Sequence, residues 1–233
     1  TLGFNGAFVK NRVISLGALT EIVAGTGITR VGLPVGTHFT VGWLGVDPNS
    51  GLPIYEDVNG KPTNVFSAAN NRAVYGTFNP KFTGGANLDI TWKGISVSAF
   101  FTTAQGIQRF NNETFFYETT NANVQFNKRV DMLNTWTKPG DITNYQRISA
   151  QRQFTSRDIQ DASFIRFRNL QVGYTYDFKN TKLGVRSCRI WAQGQNLYTW
   201  TKWQGFDPEE SNNIATYEFP NPKTYTLGLD INF

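Results

Sequence analysis

The stretch that decides the fold closes the chain: 221-NPKTYTLGLDINF-233. From Tyr225 every second residue is apolar (Tyr225, Leu227, Leu229, Ile231, Phe233), and Thr224, Thr226, Gly228, Asp230 and Asn232 fall between them. A strand points successive side chains to opposite faces, so this segment has one apolar face and one polar face along its whole length. Strands of soluble sheets usually run about 5–6 residues. A tilted strand that crosses a bilayer needs about 9–11. The segment has the second length.

The same period recurs upstream. Residues 1–10 align Leu2, Phe4 and Phe8. Residues 82–93 set Ala86, Leu88, Ile90 and Trp92 against Asn87, Asp89, Thr91 and Lys93, and residues 94–105 group Ile95, Val97, Ala99 and Phe101. In residues 163–178 Leu170, Val172, Tyr174, Tyr176 and Phe178 share a parity that Ile165 and Phe167 do not, which predicts a β-bulge near Asn169. Residues 185–201 set Cys188, Ile190 and Ala192 against Arg189, Trp191, Gln193 and Gln195. With 222–233 this makes six long strands. Their connections alternate in length: short turns at Lys93-Gly94 and Lys179–Gly184, long loops at 11–81, 106–162 and 202–221. In an up-and-down meander every second connection lies at the same end, and outer-membrane barrels sort their loops this way, short on the periplasmic side and long outside. The reading is all-β, a transmembrane antiparallel β-barrel section with Phe233 at the periplasmic side. Tyr198, Trp200 and Trp203 at the outer end, and Tyr174, Tyr176 and Phe178 at the inner end, fit an interfacial aromatic belt.

Composition agrees and excludes much else. Aromatics are 15% and charged residues 17% of 233, against about 25% charged in ordinary soluble domains. Cys188 and His38 are the sole residues of their kinds, so neither a disulfide framework nor a His/Cys metal site is expected. The net charge of +5 is spread along the chain without a basic stripe, which argues against nucleic acid. No nucleophile elbow, zinc-protease, phosphate-loop or dinucleotide motif is present, and no catalytic residue or cofactor is expected. Small barrels have at least about eight strands, so the sequence is expected to be the C-terminal part of something larger or to be completed by another chain.

Six segments in order carry a family resemblance: 45-GVDPNSGLPIYEDVNG-60, 75-YGTFNPKFTGGANLDITWKGISVSAFF-101, 136-WTKPGD-141, 162-ASFIRFRNLQVGYTYDF-178, 193-QGQNLYTWTKWQGFDPE-209 and 220-PNPKTYTLGLDINF-233. Together they resemble the C-terminal region of the SusC/RagA family, TonB-dependent outer-membrane transporters of Bacteroidota. The resemblance implies a plugged barrel of about 22 strands, of which this chain supplies roughly the last six. It also implies uptake of oligosaccharides or peptides, a SusD-like surface lipoprotein as lid, and energy from TonB through an N-terminal plug region that this sequence does not include. Outer-membrane lipid and the barrel assembly machinery are the further partners expected.

Particular residues follow. Tyr225, Leu227, Leu229, Ile231 and Phe233 resemble the C-terminal signal read by that assembly machinery. In 198-YTWTKWQGFDPEE-210, Trp200, Trp203, Phe206 and Asp207 are candidates for an outer contact with substrate or lid. A belt followed by a structural turn, with Asp207 capping it, is the favoured alternative. Asp47–Gly51 reads as a turn and not a calcium loop. Cys188 reads as a small lipid-facing residue, and Phe115, Phe116, Phe126, Met132 and Leu133 within 111–135 suggest short helices over the barrel mouth. Two rival functions stay open at this point: a barrel acting as a structural subunit without transport, and a secreted glycan-binding β-sandwich.

Overall fold

The computed structural model describes residues 1–119, 127–178, 184–210 and 212–233. Six strands form one antiparallel meander in chain order: β1 (Leu2–Phe8), β2 (Phe82–Trp92), β3 (Ile95–Gln105), β4 (Phe164–Asp177), β5 (Ser187–Thr201) and β6 (Thr224–Asn232). Register carries the alternation across the sheet. Ile90, Val97, Val172, Ala192 and Leu227 lie side by side on one face. This face stays open, with Phe4 75% and Leu227 85% exposed. A soluble sandwich would bury such a face under a second sheet; lipid is the solvent that leaves it stable uncovered.

The opposite face is knitted by polar side chains. Asp89 accepts from Ser98 Oγ at 2.6 Å and from Asn87 Nδ2 at 3.0 Å. Gln193 Nε2 donates to Asn169 Oδ1 at 2.6 Å, and Arg189 donates to Gln171 at 3.2 Å while facing Asp230 at 3.8 Å. Asn87, Asp89, Gln193 and Gln195 therefore lie on the wet side of the wall.

The bulge is at Arg168. Phe100 faces Asn169 and Phe101 faces Phe167, so Arg168 is an extra residue on β4. It returns Ile165 and Phe167 to the apolar face shared with Leu170 and Val172. The freed Arg168 donates to Thr102 Oγ1 at 2.9 Å and to Asn196 Oδ1 at 3.3 Å. At the other end of the sheet, Lys93 (φ 48°) and Gly94 (φ 85°) make the two-residue turn that joins Trp92 to Ile95. Both positive φ values match the twist of a tight hairpin. The second short connection closes with the Phe178 N–H donating to the Arg186 carbonyl at 2.9 Å; within Lys179–Gly184, residues 179–183 lie outside the described ones.

The long connections are folded. They carry small sheets, Glu21–Ala24 with Gly27–Arg30 and Thr37–His38, then Thr40–Val46 with Pro53–Glu56, Pro62–Thr63 and Asn71–Arg72, and Gln108–Phe110 with Ile159–Asp161. Among its described residues the segment 111–135 gives an α-helix, α1 (Asn112–Glu118), holding Phe115 and Phe116, and a 3-10 turn at Val130–Asn134 holding Met132 and Leu133. Phe126 lies outside the described residues. Asn111 caps α1 by accepting the Thr114 N–H at 3.1 Å. Asp47 accepts the Asn49 N–H at 2.9 Å, an Asx turn, and Pro48 then receives the Trp136 indole N–H at 2.9 Å. The core sits in this loop layer: Ile107, Ala162, Trp203 and Ala215 pack together, and the largest fully buried side chains include Arg109, Arg166, Tyr55 and His38.

Candidate functional site

Where β4 and β5 reach the loop layer, the three acids of 207-DPEE-210 are all held by arginines. Asp207 pairs with Arg166, Glu209 with Arg168 and, at 3.3 Å, with Arg166, and Glu210 with Arg109. Extended chain points adjacent side chains apart, so Glu209 reaches Arg168 on β4 while its neighbour Glu210 reaches Arg109 on another loop. Asp207 also accepts the N–H groups of Glu209 and Asn221, each at 2.9 Å. Its charge-assisted hydrogen bonds hold its carboxyl below the usual carboxylate range, although burial pushes the other way.

The residues singled out from sequence do not share one surface. Trp200 is 49% exposed on the apolar face of the wall, edge-on to Tyr198 at 4.8 Å between centroids. Trp203 is a correction to the aromatic belt. The chain turns inward after Thr201, whose Oγ1 accepts the Trp203 N–H at 3.0 Å, and the ring packs in the core with the Arg109 guanidinium 5.5 Å from its centroid. Asp207 is buried under the same turn. Phe206 keeps an open side in the loop layer, at 54% exposure.

A pocket of about 520 Å³ lies nearby, lined by Trp43, Tyr145, Glu118, Arg157, Lys202 and Gln204. Glu118 receives Arg157 at 2.8 Å and Arg152 at 3.2 Å, and Asp158 receives Arg152 at 2.6 Å. The Arg157 guanidinium stands 5.2 Å from the Trp43 centroid and 4.9 Å from that of Tyr145. Aromatic faces beside charged donors suit a polar ligand with hydrogen-bonding groups. None of these residues stood out in sequence, because the pocket joins three loops and has no local pattern.

A third grouping is acidic. One carboxylate oxygen from each of Glu113, Glu210 and Glu218 lies within 4.8 Å of the others. Burial pushes Glu210 up to about 7, with Glu218 acting in the same direction and Arg109 opposing. His38, buried on the far side of the layer, places Nε2 2.6 Å from the Gln108 carbonyl oxygen, and burial holds its imidazole below its ordinary value.

No family model matches the chain. Individual relatives do. TonB-dependent receptor P3 of Formosa agariphila is 27% identical over 89% of this chain and 23% of its own length. TonB-dependent receptor SusC of Bacteroides thetaiotaomicron is 35% identical over 32% of this chain and 8% of its own length. The RagAB peptide importer in its open-open state matches 100% of this chain and 26% of that one, with a TM-score of 0.91 and 26% identity. Its closed-closed state gives 0.90 and 27%. The chain is similar throughout to TonB-dependent receptors of SusC/RagA type.

It is a transmembrane β-barrel section, all-β, and it spans about a quarter of the length of the P3 receptor and of the RagAB chain. TonB-dependent receptors of this kind are outer-membrane barrels. The wall places Tyr225, Leu227, Leu229 and Ile231 on its open apolar face, with Phe233 70% exposed beyond the end of β6.

Proposed function

We propose that this chain is the C-terminal section of a TonB-dependent importer that carries oligosaccharides or peptides across the outer membrane beneath a SusD-like lipoprotein lid. One observation carries the reading: likeness to the RagAB peptide importer over 100% of the chain at a TM-score of 0.91, loop layer included. The complete barrel would have about 22 strands. Its C-terminus would lie in the periplasm, and Tyr225, Leu227, Leu229, Ile231 and Phe233 would form the signal for barrel assembly. Phe206 is the residue of the 198–210 segment left free to meet substrate or lid, while Trp203 and Asp207 shape the loop beneath it.

The test is deletion of the gene for the whole receptor, followed by growth on oligosaccharides and on peptides as sole nutrient. Growth on one class should be lost. It should return with the intact receptor but not with a receptor lacking its TonB-binding segment, and a surface lipoprotein should copurify. Unchanged growth on every nutrient, with a weakened outer membrane, would replace transport by a structural role.

A further inference from the structure

We propose that Glu113, Glu210 and Glu218 form a divalent-cation site, fitted to calcium, that fastens loop 202–221 to loop 106–162. The three ligand oxygens lie within 4.8 Å of one another. Calcium takes about six to eight oxygen ligands at about 2.3–2.6 Å in flexible geometry, so three converging carboxylates supply part of such a shell. Magnesium demands near-ideal octahedral geometry and usually keeps several waters, which an all-carboxylate cluster serves less well.

Charge and burial point the same way. Glu113 is 3% exposed, and the side chain of Glu210 is 6% exposed. Against three carboxylates stands one guanidinium, Arg109, which donates through Nη2 to Glu210 Oε2 and is shared with the carbonyl oxygens of Asn212 at 2.8 Å and Pro208 at 3.2 Å. Fully ionised, the group would carry two uncompensated negative charges, a costly arrangement away from water. The unmet acceptor is specific. Glu210 Oε1 is buried beside the Glu218 carboxyl with no N–H or hydroxyl donor satisfying it, while its other oxygen is held by Arg109.

The surroundings fix the other two acids without saturating them. Glu113 Oε1 accepts the Tyr217 N–H at 3.1 Å, and Glu218 accepts from the Thr216 N–H at 2.8 Å and from its hydroxyl at 2.7 Å. Glu218 is partly open to solvent, which leaves room for water to complete the coordination. Glu113 stands on α1, and Glu210 and Glu218 on the last long loop, so an ion there would tie the two together. This assignment is independent of what the barrel transports.

The experiment titrates calcium chloride into the EDTA-treated, full-length receptor in detergent by calorimetry, beside Glu218→Gln and Glu210→Gln. Wild type should bind one more calcium than either variant, in the range of about 10⁻⁴–10⁻³ M typical of extracellular sites. At ten times that constant, proteolysis within 202–221 should slow about elevenfold, and Glu218→Gln should lose the protection. Glu218→Gln keeps the Arg109–Glu210 pair, so it reports on the cation even where Glu210→Gln disturbs folding. Equal calcium stoichiometry in wild type and Glu218→Gln overturns the proposal. Protection that follows pH and ignores calcium also overturns it, and gives the triad to a shared proton.

Discussion

The wall and the loop layer put their polar and apolar groups in opposite places. In the wall the apolar side chains look outward, as in Leu227 and Leu229, and the stabilising polar pairs such as Gln193–Asn169 lie on the wet face. In the loop layer the interior holds charge: Arg109, Arg166 and Asp158 are each at most 2% exposed. A bilayer explains the first arrangement, since backbone groups are satisfied between strands and the lipid side needs only apolar contact. The second has no sheet of its own large enough to hold three loops. Ion pairs between distant segments do that work, and each is costly to leave half made.

Five substitutions would break or sharpen this contrast. The largest effect should come from Asp207→Ala, which leaves Arg166, at 2% side-chain exposure, with Glu209 at 3.3 Å as its remaining carboxylate; losing one member of a buried pair costs about 3–5 kcal/mol. Loops 106–162 and 202–221 should then become protease-sensitive on intact cells, while heat-modifiable migration on gels shows the barrel still closed. Simultaneous loss of both would show that wall and layer are one cooperative unit.

Leu227→Lys, on the lipid face, should cost about 2–4 kcal/mol in urea unfolding from detergent or lipid. Gln193→Lys on the wet face of the neighbouring strand should cost far less, and equal costs would remove the distinction between faces. Gly94→Ala forces a side chain into φ 85°, with the new Cβ 2.5 Å from the Thr175 carbonyl oxygen. That should cost about 1–2 kcal/mol, read in the same unfolding assay, with the loop layer undisturbed.

The smallest effect belongs to His38. Its folded pKa is depressed, so the unfolded state takes up protons first as pH falls below about 6.5. Stability present above that value should decline on acidification, by under about 1 kcal/mol between pH 7 and 6. Protease sensitivity of residues 31–41 measured across that range should rise in wild type and stay flat in His38→Gln.

The wall was readable because lipid and water impose residue type directly on strand parity. Even the bulge shows as a parity break beside Asn169, one residue from Arg168. The loop layer was opaque for the opposite reason. Arg109 and Glu210 are 101 residues apart, and Arg166 and Asp207 are 41 apart, distances that no local pattern spans. Trp203 misled for a related cause: an indole suits a membrane interface and a buried core equally, and only the turn after Thr201 decides between them. The acidic triad was hidden in the same way, because Glu113 belongs to a different loop from Glu210 and Glu218.

Arg168 is also a punctuation mark in the reading frame of β4. It keeps the two halves of one strand in phase with a single lipid boundary although their sequences are out of phase with each other. Loss of that one residue would act as a frameshift acts on a message. Ile165 and Phe167 would turn toward water, Arg166 would turn toward lipid and away from Asp207, and a deletion on the wall would be felt first as the release of the loops.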